Sequence, residues 1–155
     1  MQCLYNIGMQ TFLPYESFKE SAKSLDMKRL GKQRVETLQL LNSMTGKTTG
    51  KGWTNHPCKH MWASNMAALV QYGLVICKEW LSRGYKDTCY DKIAAFGVEA
   101  NPAMPWWLGT KDFHISHQAN LVRKKADYYK IKWPTVDESL PYLWPDNDTK
   151  KFKTI

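Results

Sequence analysis

The sequence predicts a mainly α fold in one compact domain of about four helices joined by long loops, and three observations carry that prediction. Apolar residues return at three- and four-residue spacing along two long stretches, residues 27–44 and 62–80. Helix punctuation bounds these stretches: Asp26 and Pro57 stand at the starts, Gly46 and Gly84 just past the ends. No convincing pair of alternating strands, internal repeat or low-complexity run is present. A length of 155 residues suits one domain, and 43% hydrophobic with 23% charged residues suits a soluble chain that buries a core.

In order along the chain, Pro14 closes an extended lead-in, and Glu16 to Ser24 reads as a short helix with Phe18 and Ala22 on one side. Asp26 is placed to cap the next helix by accepting from its free first-turn amides. That helix carries Met27, Leu30, Leu38 and Leu41 on one stripe until Gly46 stops it. A polar, glycine-containing loop runs from Thr45 to Asn55, too short to separate domains. From Pro57 to Arg83 the sequence reads as one long helix, with Trp62, Met66, Leu69, Gly73, Ile76 and Trp80 along its apolar face. A short helix is expected around Lys92 to Phe96, and a last helix from Asp112 to Lys125. The remainder is proline-punctuated, with Tyr142 and Trp144 as anchors.

Charge narrows the function. Twenty-two Lys and Arg against fourteen Asp and Glu give +8. The excess is clustered: residues 19–34, 47–60 and 121–133 together hold +11, so the remainder is net acidic. Such clustering fits a face that tracks a phosphate backbone. Seven Trp, eight Tyr and five Phe could add base-stacking surfaces or simply fill the core. No apolar stretch approaches the ~20 residues of a membrane span, and Met1 to Gly8 lacks the basic start of a signal peptide. Cys3, Cys58, Cys77 and Cys89 show no CxxC spacing, so reduced thiols in a cytoplasm are expected.

A helical projection of residues 27–44 sets Glu36 nearly opposite the apolar stripe, flanked by Arg29 and Lys32. One reading is a solvated polar face whose ion pairs contribute a few tenths of a kcal/mol. Arg34 instead projects toward the apolar side, where a guanidinium needs partners. Trp53, Asn55 and His56 stand at the start of the long helix. His56, Cys58 and His60 lie on different faces with no fourth ligand, so no metal is expected. His114 and His117 read as capping or core groups.

Several segments go further. Met9-Gln-Thr-Phe-Leu-Pro-Tyr15, Leu25-Asp-x-Lys-Arg-Leu-Gly-Lys-Gln-Arg-Val-Glu36, Gly52-Trp-x-Asn-His-Pro57, Arg83-Gly-Tyr85, Pro105-Trp-Trp-Leu108 and Phe113-His-x-Ser-His-Gln-Ala-x-Leu-Val-Arg-Lys124 resemble the pyrimidine-dimer DNA glycosylase (endonuclease V) family. The resemblance covers roughly residues 9–145. It implies an endonuclease V-like α fold, with residues 1–8 as an extension or a mis-called start and 146–155 as a polar tail. It implies a cytoplasmic DNA repair enzyme of a bacterial cell or phage-infected host. Such an enzyme acts as a monomer on damaged double-stranded DNA, without cofactor, metal or membrane.

The family's reaction breaks the glycosidic bond at a cyclobutane dimer through an amine-derived imine and then cleaves the backbone by β-elimination. Glu36 matches the family's catalytic carboxylate. The nucleophile there is an α-amine, and an α-amine of pKa about 7.7–8.0 is far more often neutral at pH 7 than a lysine of about 10.4. Here the candidate amines are those of Met1, or Met9 if translation starts there, and Lys32. The arginines that flank the family's Glu correspond to Val35 and Gln39. Candidate DNA contacts are Lys28, Arg29, Lys32, Arg34, Trp53, Asn55, His56, Arg123, Lys124 and Lys125. The competing expectations are a non-catalytic basic DNA-binding protein of the same fold and a structural protein with a solvated basic surface.

Overall fold

The computed structural model describes residues 9–47 and 56–154. Among these, seven helices and one small hairpin follow the lead-in of residues 9–14: α1 (Phe18–Ser24), α2 (Met27–Met44), α3 (Pro57–Trp62), α4 (Met66–Ser82), α5 (Tyr90–Ala94), α6 (Lys111–Lys124), α7 (Ala126–Lys132), β1 (Trp144–Asp146) and β2 (Lys151–Lys153). The fold is mainly α, as the periodicity predicts, but the helices are more numerous and shorter than the four expected.

One predicted helix is divided. The run from Pro57 to Arg83 breaks at Ala63-Ser64-Asn65, where Asn65 leaves the helical region at φ −137°, ψ 48° and its Nδ2 donates to Ala103 O at 3.0 Å. Short polar side chains that bond to backbone compete with helix continuation. The helix expected from Asp112 to Lys125 is present as α6, which ends where Lys125 leaves the helical region at φ −153°, ψ 73°, and α7 follows it as a further helix. At the far end of α4, Gly84 adopts φ 92° and terminates the helix as expected.

α2 and α4 form the central pair. Gly73 makes their close approach possible, since a Cβ there would lie 2.7 Å from Thr37 Cγ2 and 3.1 Å from Ile93 Cδ1. The core beneath them is aromatic: Trp62, Tyr72, Trp107 and Phe113 are fully buried, and Trp62 meets Trp107 edge-on at 5.0 Å. Every described tryptophan belongs to this core or packs against it. The described tryptophans therefore serve the interior, with indole N–H groups satisfied by Thr11 Oγ1, Met61 O and Asn147 Oδ1, while Tyr15 and Tyr85 remain exposed. Cys58, Cys77 and Cys89 are buried free thiols.

Within the segment read as a polar tail, β2 pairs antiparallel with β1, with Pro145 opposite Phe152. Phe152 stacks on Phe113 at 5.5 Å and packs on Trp106, which supplies the apolar contact that holds an otherwise polar hairpin. No described helix is long and apolar enough to cross a membrane.

Candidate active site

Two elements build the site, α2 and the lead-in laid beside it. Asp26 stands at the α2 N-cap position but makes no side-chain cap bond. Its carboxylate instead accepts from the Tyr129 hydroxyl and ion-pairs with Arg29 at 3.3 Å, tying α7 to the start of α2. The lead-in is pinned from the other side by α6. Leu13 N donates to His117 Nδ1 at 2.9 Å, and His114 Nδ1 bonds Leu13 O at 2.7 Å while its Nε2 accepts from Gly109 N. Burial holds both imidazoles below the ordinary histidine range, so they serve as neutral hydrogen-bonding groups.

Gln33 joins the two elements. It is fully buried, and both halves of its amide are used. Oε1 accepts from Phe12 N at 3.0 Å and from the Tyr72 hydroxyl at 2.6 Å; Nε2 donates to Gln10 O at 2.8 Å and to Glu36 Oε1 at 3.1 Å. Nothing in its composition or spacing marked Gln33 as functional. Its position one turn before Glu36 was the available signal.

Glu36 is 8% exposed, so the reading of a solvated polar face is overturned. The lead-in covers that flank of α2, whereas Met27, assigned inward by the projection, is 51% exposed. Burial pushes the Glu36 carboxyl up to about 7, against the opposing charges of Lys32 and Lys124 and hydrogen bonds from Gln33 and the Gln10 backbone. The carboxyl opens on a cavity of about 210 Å³ lined by Gln10, Phe12, Lys28, Arg29, Lys32, Glu36 and Lys124. Three clefts are larger, about 500, 400 and 310 Å³, but none of them contains a buried carboxyl. Chemistry rather than size singles out this cavity.

The family model for pyrimidine dimer DNA glycosylase matches residues 9–93. The chain belongs to that family. No curated protein and no solved structure matches it. Membership makes DNA the substrate of this glycosylase family member, and the matched span holds Gln33, Glu36 and the α2 cations. Lys124 lies beyond it.

The structure separates the residues that the sequence grouped as DNA contacts. Lys28, Arg29, Lys32 and Lys124 gather around Glu36. Desolvation and the nearby charges of Arg29, Lys32 and Arg123 hold the Lys124 amine below the ordinary lysine range, although Glu36 acts the other way. Arg123 stands close by but donates to Glu138 O at 2.5 Å and Leu140 O at 2.7 Å, anchoring the following loop. Lys125 is 4.0 Å from Asp127.

Arg34 is turned away and ion-paired to Asp87 at 2.6 Å, with its guanidinium over the Trp80 ring at 4.4 Å. It is an interior tie between helices rather than a surface contact, because a guanidinium on that flank has to be paired. His56 is buried: Nδ1 accepts from Cys58 N at 3.0 Å, capping α3, and its ring meets Trp144. Met9 is half-buried and precedes Gln10 at the cavity wall. Met1, Trp53 and Asn55 lie outside the described residues.

Proposed function

We propose that this cavity excises a damaged base, at cyclobutane pyrimidine dimers, and then cleaves the strand through an imine. An amine attacks C1′ while the glycosidic bond breaks, its electron pair leaving with the base. Protonated Glu36 supplies the proton that the departing base or the opening sugar ring requires. The ring opens to an iminium. The carboxylate form of Glu36 then takes the C2′ proton, the C3′–O bond breaks, and a 5′-phosphate departs. Water hydrolyses the imine and restores the amine.

The observation that carries this reading is a buried carboxyl with a pKa of about 7, which holds both protonation states near neutral pH, inside a ring of cations suited to phosphates. An ordinary surface glutamate is almost wholly ionised there and is a poor proton donor. The test is borohydride reduction of the protein on duplex DNA containing one abasic site, beside incision of a duplex containing one cyclobutane dimer. The reading expects a covalent protein–DNA adduct, dimer-dependent incision, and loss of scission in Glu36→Gln. No adduct together with unchanged scission in that variant overturns it.

A further inference from the structure

We infer that Gln33 is a positioning residue for Glu36: it fixes which oxygen of that carboxyl carries the transferable proton. The inference rests on the acid–base role given to Glu36 above, while the geometry behind it stands independently of that role. Gln33 Nε2 donates to Glu36 Oε1 at 3.1 Å, one turn along α2. A second hydrogen bond to the carboxyl comes from the Gln10 backbone, whose carbonyl is itself held by Gln33. Among the described residues no lysine or arginine forms an ion pair with Glu36, so Lys32 and Lys124 act on it by charge at a distance and select neither oxygen. The amide sets the orientation of the acid.

That amide cannot turn over. Phe12 N is only a donor, so it requires the oxygen Oε1 at 3.0 Å, and Gln10 O is only an acceptor, so it requires Nε2 at 2.8 Å. The Tyr72 hydroxyl, 2.6 Å from Oε1 and 2.9 Å from Phe12 O, reinforces the same sense from α4. Turning the amide would set donor against donor and acceptor against acceptor in a fully buried place, and each orphaned group is costly. The backbone polarity of the lead-in is thereby passed through Gln33 to a side chain on α2.

An N–H aimed at Oε1 keeps that oxygen an acceptor in both protonation states. In the neutral acid Oε1 is then the carbonyl oxygen and the proton resides on Oε2. In the carboxylate Oε2 is the oxygen that takes a proton back, so donation and abstraction use one atom and the carboxyl need not rotate between them. The bond also favours the charged form, so Gln33 restrains the rise that burial causes. The other titratable groups that bear on this carboxyl are Lys32 from α2, Lys124 from α6, Cys58 from α3, Tyr72 from α4 and Tyr142 from the C-terminal segment, with Lys28 and Arg29 along the same cavity.

Two measurements on the full chain test this. In the wild type, NMR of the side-chain amides should show a Gln33 Nε2 proton whose shift follows pH with the same midpoint as the Glu36 carboxyl carbon, because its acceptor gains and loses charge. Gln33→Met removes the donor at nearly equal size. In it the Glu36 midpoint should move up by about one pH unit, and scission of abasic-site duplex at pH 7 should fall about tenfold with duplex affinity unchanged, since the buried amide touches no substrate. A space-filling role would lower the folded fraction and leave the midpoint in place. A Gln33 signal that stays flat with pH in the wild type overturns the inference even where the variant does not fold, and so does an unmoved Glu36 midpoint in the folded variant. Absence of scission by the wild type, with both titrations as expected, overturns the catalytic reading and leaves the placement of the proton standing.

Discussion

Arg34 and Glu36 stand two residues apart on α2, and the two flanks they occupy treat charge in opposite ways. On the Arg34 flank the charge is paired: Asp87 bonds the guanidinium through Nη1 and Trp80 covers it, with only the buried Nε left without a partner. Burial pushes the Asp87 carboxyl up, but the hydrogen bond from Arg34, the Tyr90 and Cys89 backbone amides and the Arg34 charge outweigh it and hold the carboxyl low. The Glu36 flank is left incomplete. Its carboxyl is buried with an amide for a partner and cations at a distance, so burial wins and the pKa rises. A paired interior charge supports the fold; an unpaired one reduces stability and gains a proton that can move.

The largest expected effect breaks the incomplete flank. Glu36→Gln should lower strand scission on abasic-site DNA by roughly 10²–10⁴, measured under single-turnover conditions. Breaking the paired flank should act on stability instead. Asp87→Ala leaves Arg34 without its partner and should cost about 3 kcal/mol in urea unfolding. Scission per folded molecule should stay at the wild-type level below the shifted melting range. A large loss of activity at full folding would undo the distinction between the flanks.

The same contrast has a pH signature. The folded-state pKa of Glu36 lies above the ordinary 4.5, so the native state binds the proton more tightly and its stability falls as pH rises from about 4.5 to about 7. At about 1.4 kcal/mol per pKa unit, the penalty above pH 7 is about 3 kcal/mol. Glu36→Gln should therefore melt higher than wild type at pH 8, with the gap closing toward pH 4.5. Scission by the wild type should rise with pH through about 7, and that limb should vanish in the variant. A variant that melts lower at pH 8 contradicts the unpaired state of the carboxyl.

Smaller effects sharpen the picture. Tyr72→Phe removes a donor to Gln33 and should cost about 1 kcal/mol, read as a shift in the urea midpoint. Lys28→Ala should weaken duplex binding about equally for damaged and undamaged DNA. Its slope of log K against log salt should fall by about 1, measured by fluorescence anisotropy.

Much of this was legible in the sequence, and the gaps have a common origin. The helix starts at Asp26 and Pro57 and the stop at Gly84 were readable because helix-boundary preferences and left-handed turns are local, although the cap bond expected of Asp26 is not made. The need of Arg34 for a partner followed from its side of the helix, but Asp87, 53 residues away, did not. The projection of α2 placed Leu30 and Leu41 correctly and misjudged Glu36, because it weighs one apolar stripe and cannot register a second covering segment. Gln33 went unnoticed for the same reason: its partners come from Gln10, Phe12 and Tyr72.

By itself the sequence determined a mainly α chain, its principal helices and a clustered positive charge, since spacing, punctuation and charge are properties of neighbouring residues. Tertiary structure alone decided that Glu36 is buried, that Arg34 is paired, and that Lys124 lines the same cavity from another helix. A pKa depends on desolvation and on charges brought close in space. Residues 36 and 124 become neighbours only when α2, α6 and the lead-in pack together.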